Sequence, residues 1–307
     1  MFQLLATCAV FGTLPFWIKA VGLYPYLGVE VMIWVIYALG FNLLLGTAGL
    51  PSFGHGAYFG VGAYAFGLSQ LNLSSNLAVC LGAAILAGAL AGGLVALFVS
   101  HRRGIYYALL TIAFGQIFWF VAIKWHSVTR GEDGLLNIKR PAFLAELDAL
   151  YYFCFALFVA VILFLWRLQR SPFGRVLAAI RQNETRARFV GYHVWAYKWL
   201  AFTLSALVAG LAGGLFALAQ QSAYPNVMSL HQSGLVVMMA LVGGGLVSFW
   251  GPVLGAVLFF IARDLLGAYT EAWLLWYGLL FMVIVLFKPE GLAGLLHRGP
   301  VRSQTAA

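Results

Sequence analysis

Apolar runs long enough to cross a bilayer recur from one end of this 307-residue chain to the other, and no other feature constrains its fold as much. A helix needs roughly 20 apolar residues to span the hydrocarbon core, so a 63% hydrophobic chain of this length holds about ten such segments. Only 9% of the residues are charged, too few to cover a soluble protein. The runs do not alternate apolar with polar as the strands of a barrel would. The expectation is an all-α, polytopic helical bundle, one transmembrane domain over residues 1–307. Spans fall near 4–20, 29–46, 55–70, 77–99, 105–123, 150–167, 198–219, 233–248, 251–267 and 273–288, some of the shorter ones being broken. The N-terminal run has no basic n-region and no clear small-residue cleavage site, so it is read as a retained span. Cys8, Cys80 and Cys154 all lie inside apolar runs and read as small core residues.

One stretch breaks the pattern. From Arg167 to Lys198 the chain carries seven of its 18 basic residues and a single acid, Glu184. This island, the loop 101–103 and the C-terminal tail fall on one side of the bundle and together hold 12 Lys/Arg. The opposite loops hold Lys124, Arg130, Lys139 and Arg140, offset by Glu132, Asp133, Glu146 and Asp148. The positive-inside rule makes the basic side cytoplasmic and puts both termini there. Topology and anionic lipid headgroups account for the net +9, and nothing calls for nucleic acid.

Two uncharged joints are too rich in Gly and Pro for plain helix: Gly46-Thr-Ala-Gly-Leu-Pro-Ser-Phe-Gly-His-Gly56 and Gly243-Gly-Gly-Leu-Val-Ser-Phe-Trp-Gly-Pro252. They share Gly-Leu-x-Ser-Phe, a weak sign of an internal repeat. Irregular backbone at membrane depth is tolerated where protein or water satisfies it, and in transporters such breaks often line the substrate path. They read equally as tight turns at the membrane surface. The charge count puts both toward the cytoplasm, whereas an inverted repeat would put them on opposite sides. Asn42, Ser52, His55, Gln116 and Ser248 are the candidate path residues; their plainer reading is hydrogen bonding between helices. Glycine pairs at small-xxx-small spacing, such as Gly88/Gly92 and Gly210/Gly214, read as close helix packing.

The chain shows no phosphate-binding loop, no His-Glu-x-x-His, no Cys/His metal cluster and no Gly-x-Ser-x-Gly. No row of Asp, Glu or Lys lies within the spans, so neither an enzyme nor an ion-driven carrier is indicated, and no cofactor is expected. The island itself reads as an amphipathic helix over about 171–191. Ser171 is the N-cap, Pro172 the first helical residue and Gly191 the stop. Val176, Ile180, Ala187 and Val190 form its apolar stripe. Such a helix either enters a groove on a partner or lies among lipid headgroups.

Four stretches together resemble the permeases of branched-chain amino acid ABC transporters, the LivM type. They are Ala38-Leu-Gly-Phe-Asn-Leu-Leu-Leu-Gly-Thr-Ala-Gly-Leu-Pro-Ser-Phe-Gly-His-Gly56; Gly104-Ile-Tyr-Tyr-Ala-Leu-Leu-Thr-Ile-Ala-Phe114; Ser171-Pro-Phe-Gly-Arg175 with Ala179-Ile-Arg-Gln-Asn-Glu184; and Val242-Gly-Gly-Gly-Leu246 with Trp250-Gly-Pro-Val-Leu-Gly-Ala256 and Phe287-Lys-Pro-Glu-Gly-Leu292. The resemblance implies a subunit of a bacterial inner-membrane importer. Its partners would be a second, homologous permease subunit, two cytoplasmic ATPase subunits and a periplasmic substrate-binding protein. The family's coupling helix maps onto about 173–190, giving Phe173, Arg175, Ile180, Arg181, Glu184 and Arg188 as ATPase-coupling residues. The outer loops 124–149 and 221–232 would meet the binding protein. Relatives carry urea or short amides, so the small-molecule substrate stays open at this point. So do a stand-alone channel for a neutral solute and, from another class, a membrane enzyme, although the polar surface cluster an enzyme needs is missing.

Overall fold

The computed structural model describes residues 2–18, 24–288 and 291–296. Among these the regular structure is helical, with one isolated antiparallel bridge, Leu135 with Ala223. All ten expected segments are helices: α1 Phe2–Ile18, α2 Tyr26–Asn42, α3 Gly56–Asn72, α4 Leu77–Val99, α5 Gly104–Lys124, α7 Leu147–Arg170, α10 Val194–Gln220, α11 Leu230–Gly243, α12 Gly251–Tyr269 and α13 Trp273–Phe287. Between them lie α6 His126–Thr129, α8 Pro172–Gln182 and α9 Glu184–Phe189, and α14 Gly291–Leu296 follows. Among the described residues six segments are long and apolar enough to cross a membrane: α2 with its extension to Ala48, α4, α5, α7, α10 and α12. The other four, α1, α3, α11 and α13, have 17 described residues or fewer, so six full-length spans are found among the described residues and ten are not confirmed. The C-terminal tail, Pro289, Glu290 and the end of the expected first span lie outside the described residues.

Two helices form the centre. α2 is apolar on every side and 94% of its best 18-residue window is buried. α10 packs against it and against α3 and α4. The glycine spacings do what close packing requires. A Cβ on Gly88 would come within 2.8 Å of Gly210 Cα, so the α4 and α10 backbones touch there. The outer flank of α4 is leucine-rich and exposed at Leu86, Leu90 and Leu94, as is much of α13. In a chain this apolar, those faces meet hydrocarbon.

At the end of the bundle away from the island, the loops form a folded cap. Leu135 N–H donates to Ala223 O (2.9 Å) and Ala223 N–H to Leu135 O (2.8 Å). Gln70 exchanges two 2.8 Å bonds with the Lys139 backbone, and Arg140 donates to Leu218 and Ala219 carbonyls, satisfying the open end of α10. Loops 124–149 and 221–232 are thus stitched to each other.

Candidate functional site

The first joint is a local change of helix type. α2 passes at Leu43 into a π-helical turn, Leu43–Ala48, and Gly49 ends it in the left-handed region (φ 70°). Pro51 follows, and α3 starts at Gly56, whose N–H donates to Ser233 Oγ on α11 (2.9 Å). The second joint ends α11 on Gly244, also left-handed (φ 89°), and α12 restarts at Gly251 with Pro252 in its first turn. The two joints meet at Gly46 and Gly245. Asn42 faces Gly46 and Gly245 together, since a Cβ on either glycine would meet the Asn42 side chain.

The island lies against both joints. Ser171 caps α8 as expected, accepting from Gly174 N–H (3.4 Å) with Pro172 in the first turn. The single helix expected over 171–191 is instead two. Asn183 is extended (φ −159°) and its side chain accepts from Arg186 N–H (2.9 Å), an N-cap that restarts the chain as α9. The apolar stripe also differs. Val176, Leu177, Ile180 and Ala187 are buried in the protein's own bundle, whereas Val190 is 71% exposed. The stripe is therefore what holds the island on, and the exposed face carries Arg175, Gln182, Arg186, Phe189 and Val190.

Arg181 makes the central contact. Its Nη1 donates to Gly46 O in the first joint and to Leu246 O in the second (3.1 Å). The aliphatic part of its side chain runs under Gly49, where a Cβ would come within 2.8 Å of Arg181 Cγ. Beside it a cavity of about 530 Å³ opens between Gly46 and Thr47 on one wall and Arg175, Ala178 and Gln182 on the other.

Glu184 is the second anchor. Only 9% of its side chain is exposed, and it pairs with Arg103 (2.9 Å), Arg188 (3.0 Å) and Lys198 (3.5 Å). Lys198 is fully buried and also donates to Arg102 O (2.7 Å), tying the island to the α4–α5 loop and α10. Sequence reading left Lys198 at the edge of the island without a role. Its signal was helical spacing, because Lys198, Phe202, Ser205 and Ala209 fall on one face of α10 and all are buried. Phe173 stacks on Tyr197 of α10 (ring centroids 5.7 Å apart).

The candidate path residues divide. Asn42, Ser52 and His55 are buried at the first joint, and Asn42 Oδ1, Ser52 Oγ and His55 Nδ1 have no hydrogen-bond partner among the described residues. Ser205 Oγ donates to Gly40 O (2.6 Å) and lies 3.2 Å from His55 Nε2, so Nε2 carries the proton and donates to Ser205. Tyr37, Phe41 and Tyr58 enclose the imidazole. Ser248 accepts from Trp250 N–H (3.3 Å) within its own turn. Gln116 is half-buried on α5 and joins none of these groups. Thr111 of α5 does instead, accepting from Phe53 N–H (3.1 Å).

Residues 25–288 match the family described as branched-chain amino acid transport system, permease component. The chain belongs to that family. It is 31% identical over 288 residues to the high-affinity branched-chain amino acid transport system permease protein LivM of Salmonella typhimurium, covering 85% of this chain and 68% of that one. The Escherichia coli protein of the same name is 30% identical over the same shares. An autoinducer 2 import system permease protein, LsrC of Klebsiella pneumoniae, is 32% identical over 57% of this chain and 51% of its own. No solved structure matches. In this permease two broken helices are held by one island.

Proposed function

We propose that this chain is the membrane-spanning subunit of a bacterial ABC importer that translocates leucine, isoleucine, valine or similar amino acids. A periplasmic binding protein delivers the substrate, a second homologous permease completes the passage and two separate ATPase subunits drive it. The island end is cytoplasmic, the cap end periplasmic. The observation that carries this reading is Arg181 holding both joints at once. A pull on α8 then reaches α2–α3 and α11–α12 through one guanidinium, which suits power supplied from below. Phe173, Ile180 and Glu184 fasten the island to the bundle, and Arg175 and Arg188 meet the ATPase. Asn42, Ser52 and Ser248 belong to the inner gate at the joints, with His55 packed behind it. Gln116, on α5, stands apart from that gate.

The test is reconstitution with the cognate permease, ATPase subunits and binding protein. Uptake of leucine into proteoliposomes should require ATP and the binding protein. Uptake that proceeds equally without ATP would replace this reading with a facilitator.

A further inference from the structure

At the cap end lies a second cavity, of about 570 Å³, whose Val227 also packs against Gly56 at the end of the first joint. That volume falls within the ~300–1,000 Å³ typical of small-molecule sites. Trp119 and Ile123 at the end of α5 and Phe216 on α10 form its apolar walls. Glu132 borders it from the 3₁₀ turn Gly131–Asp133, and Gln232 from the first turn of α11. Gln232 Oε1 is buried with no partner among the described residues. Of the residues lining the cavity, none is cationic. The stitching of Leu135 to Ala223 fixes the two loops that supply Glu132 and Tyr224.

A carboxylate, an unpartnered amide oxygen and aromatic faces all favour a group that donates hydrogen bonds and carries positive charge. We infer that this cavity is a way-station for an aliphatic amino acid entering from the outer side. Glu132 and Gln232 receive its ammonium, while Trp119, Ile123 and Phe216 receive its side chain. The inference rests on the proposed function for the identity of the ligand, but the ammonium preference comes from the cavity alone.

The test uses right-side-out vesicles from cells making the complete importer, with Cys8→Ser to remove the half-buried native thiol and Asn226→Cys at the cavity rim. The labelling rate with a membrane-impermeant maleimide is followed. Leucine and isoamylamine, which share the ammonium, should each slow labelling at least threefold. 4-Methylpentanoate, which lacks it, should not, and Glu132→Gln in the same chain should abolish protection. If Asn226→Cys does not reach the membrane, Tyr224→Cys reports on the same rim. Equal protection by 4-methylpentanoate overturns the ammonium site. So does unchanged labelling with leucine in a variant that still drives ATP-dependent leucine uptake, and that result leaves the transport reading standing. Amine protection in an importer that does not carry aliphatic amino acids would leave the cavity standing and remove the proposed cargo. Labelling only after permeabilisation overturns the assignment of this end to the outside.

Discussion

Gly46 and Leu246, from joints far apart in the chain, offer their carbonyl oxygens to the same nitrogen, Nη1 of Arg181. Neither carbonyl has a helical partner where the helix breaks, so the guanidinium satisfies both and also fixes their separation. A hydrogen bond from a charged donor contributes about 1.5–3 kcal/mol, or roughly 10–100-fold in an equilibrium between gate states. Arg181→Ala should therefore lower ATP-driven uptake at least tenfold while the ATPase subunits still co-purify with the permease. Arg181→Lys supplies one point charge in place of a planar fork and should fall between. Uptake within twofold of the parent in Arg181→Ala would show that the joints need no link to the island.

Glu184 neutralises a lysine that has no exposure to solvent. Removing one partner of a buried pair costs about 3–5 kcal/mol because the other charge is left uncompensated. Glu184→Gln should lower the thermal midpoint of the purified protein markedly. Adding Lys198→Met should restore most of it, since the stranded ammonium is then gone. If the double variant is no more stable than Glu184→Gln alone, then Arg103 and not Lys198 is the partner that matters. Glu184 would then clamp the loop and not the helix.

Backbone contact between α5 and the first joint sets a third expectation. A Cβ on Gly54 would overlap the Thr111 carbonyl, and Gly115 lies directly behind it. Rigid backbone cannot give way, so Gly54→Ala should prevent accumulation of folded protein. Gly82, in the interior of α4, faces open space. There alanine should be tolerated, and raises helix propensity by up to about 1 kcal/mol. Fluorescence-detected gel filtration of the two variants separates close approach from a general sensitivity of glycines.

Much of the fold was legible because hydrocarbon length and charge asymmetry are local properties. Each expected apolar segment is a helix, and Ser171, Pro172 and Gly191 punctuate the island as their chemistry requires. The break at Asn183 was harder to see. Asn reads as a polar position on an amphipathic helix, and only its side chain's bond to Arg186 N–H makes it a cap. The burial of Val176, Leu177 and Ile180 was ambiguous for a different reason. An amphipathic stripe says that something covers it, and does not say whether the cover is a partner or the chain's own bundle. The pairing of Arg263 with Glu30 (2.8 and 3.0 Å) is a contact between α12 and α2 that no spacing rule anticipates. Arg263 also donates to its neighbour Asp264 (3.1 Å), so two carboxylates hold it.

His55 decides between hinge and path at the first joint. The imidazole is enclosed by three aromatic rings and donates to a serine already bound to Gly40 O. That is the setting of a packed pin. Phenylalanine keeps an aromatic ring, removes the one hydrogen bond and adds some volume, so His55→Phe should cost about 1–3 kcal/mol and leave uptake within twofold. His55→Ala removes the ring and leaves a cavity between α2 and α3, for which large-to-small core changes cost about 2–5 kcal/mol. Loss of folded protein in the alanine variant with normal transport in the phenylalanine variant would fix His55 as part of the hinge. Transport abolished in a well-folded His55→Phe protein would mean instead that the imidazole meets the substrate, and would move the path from the cleft between the joints to the α2–α3 interface.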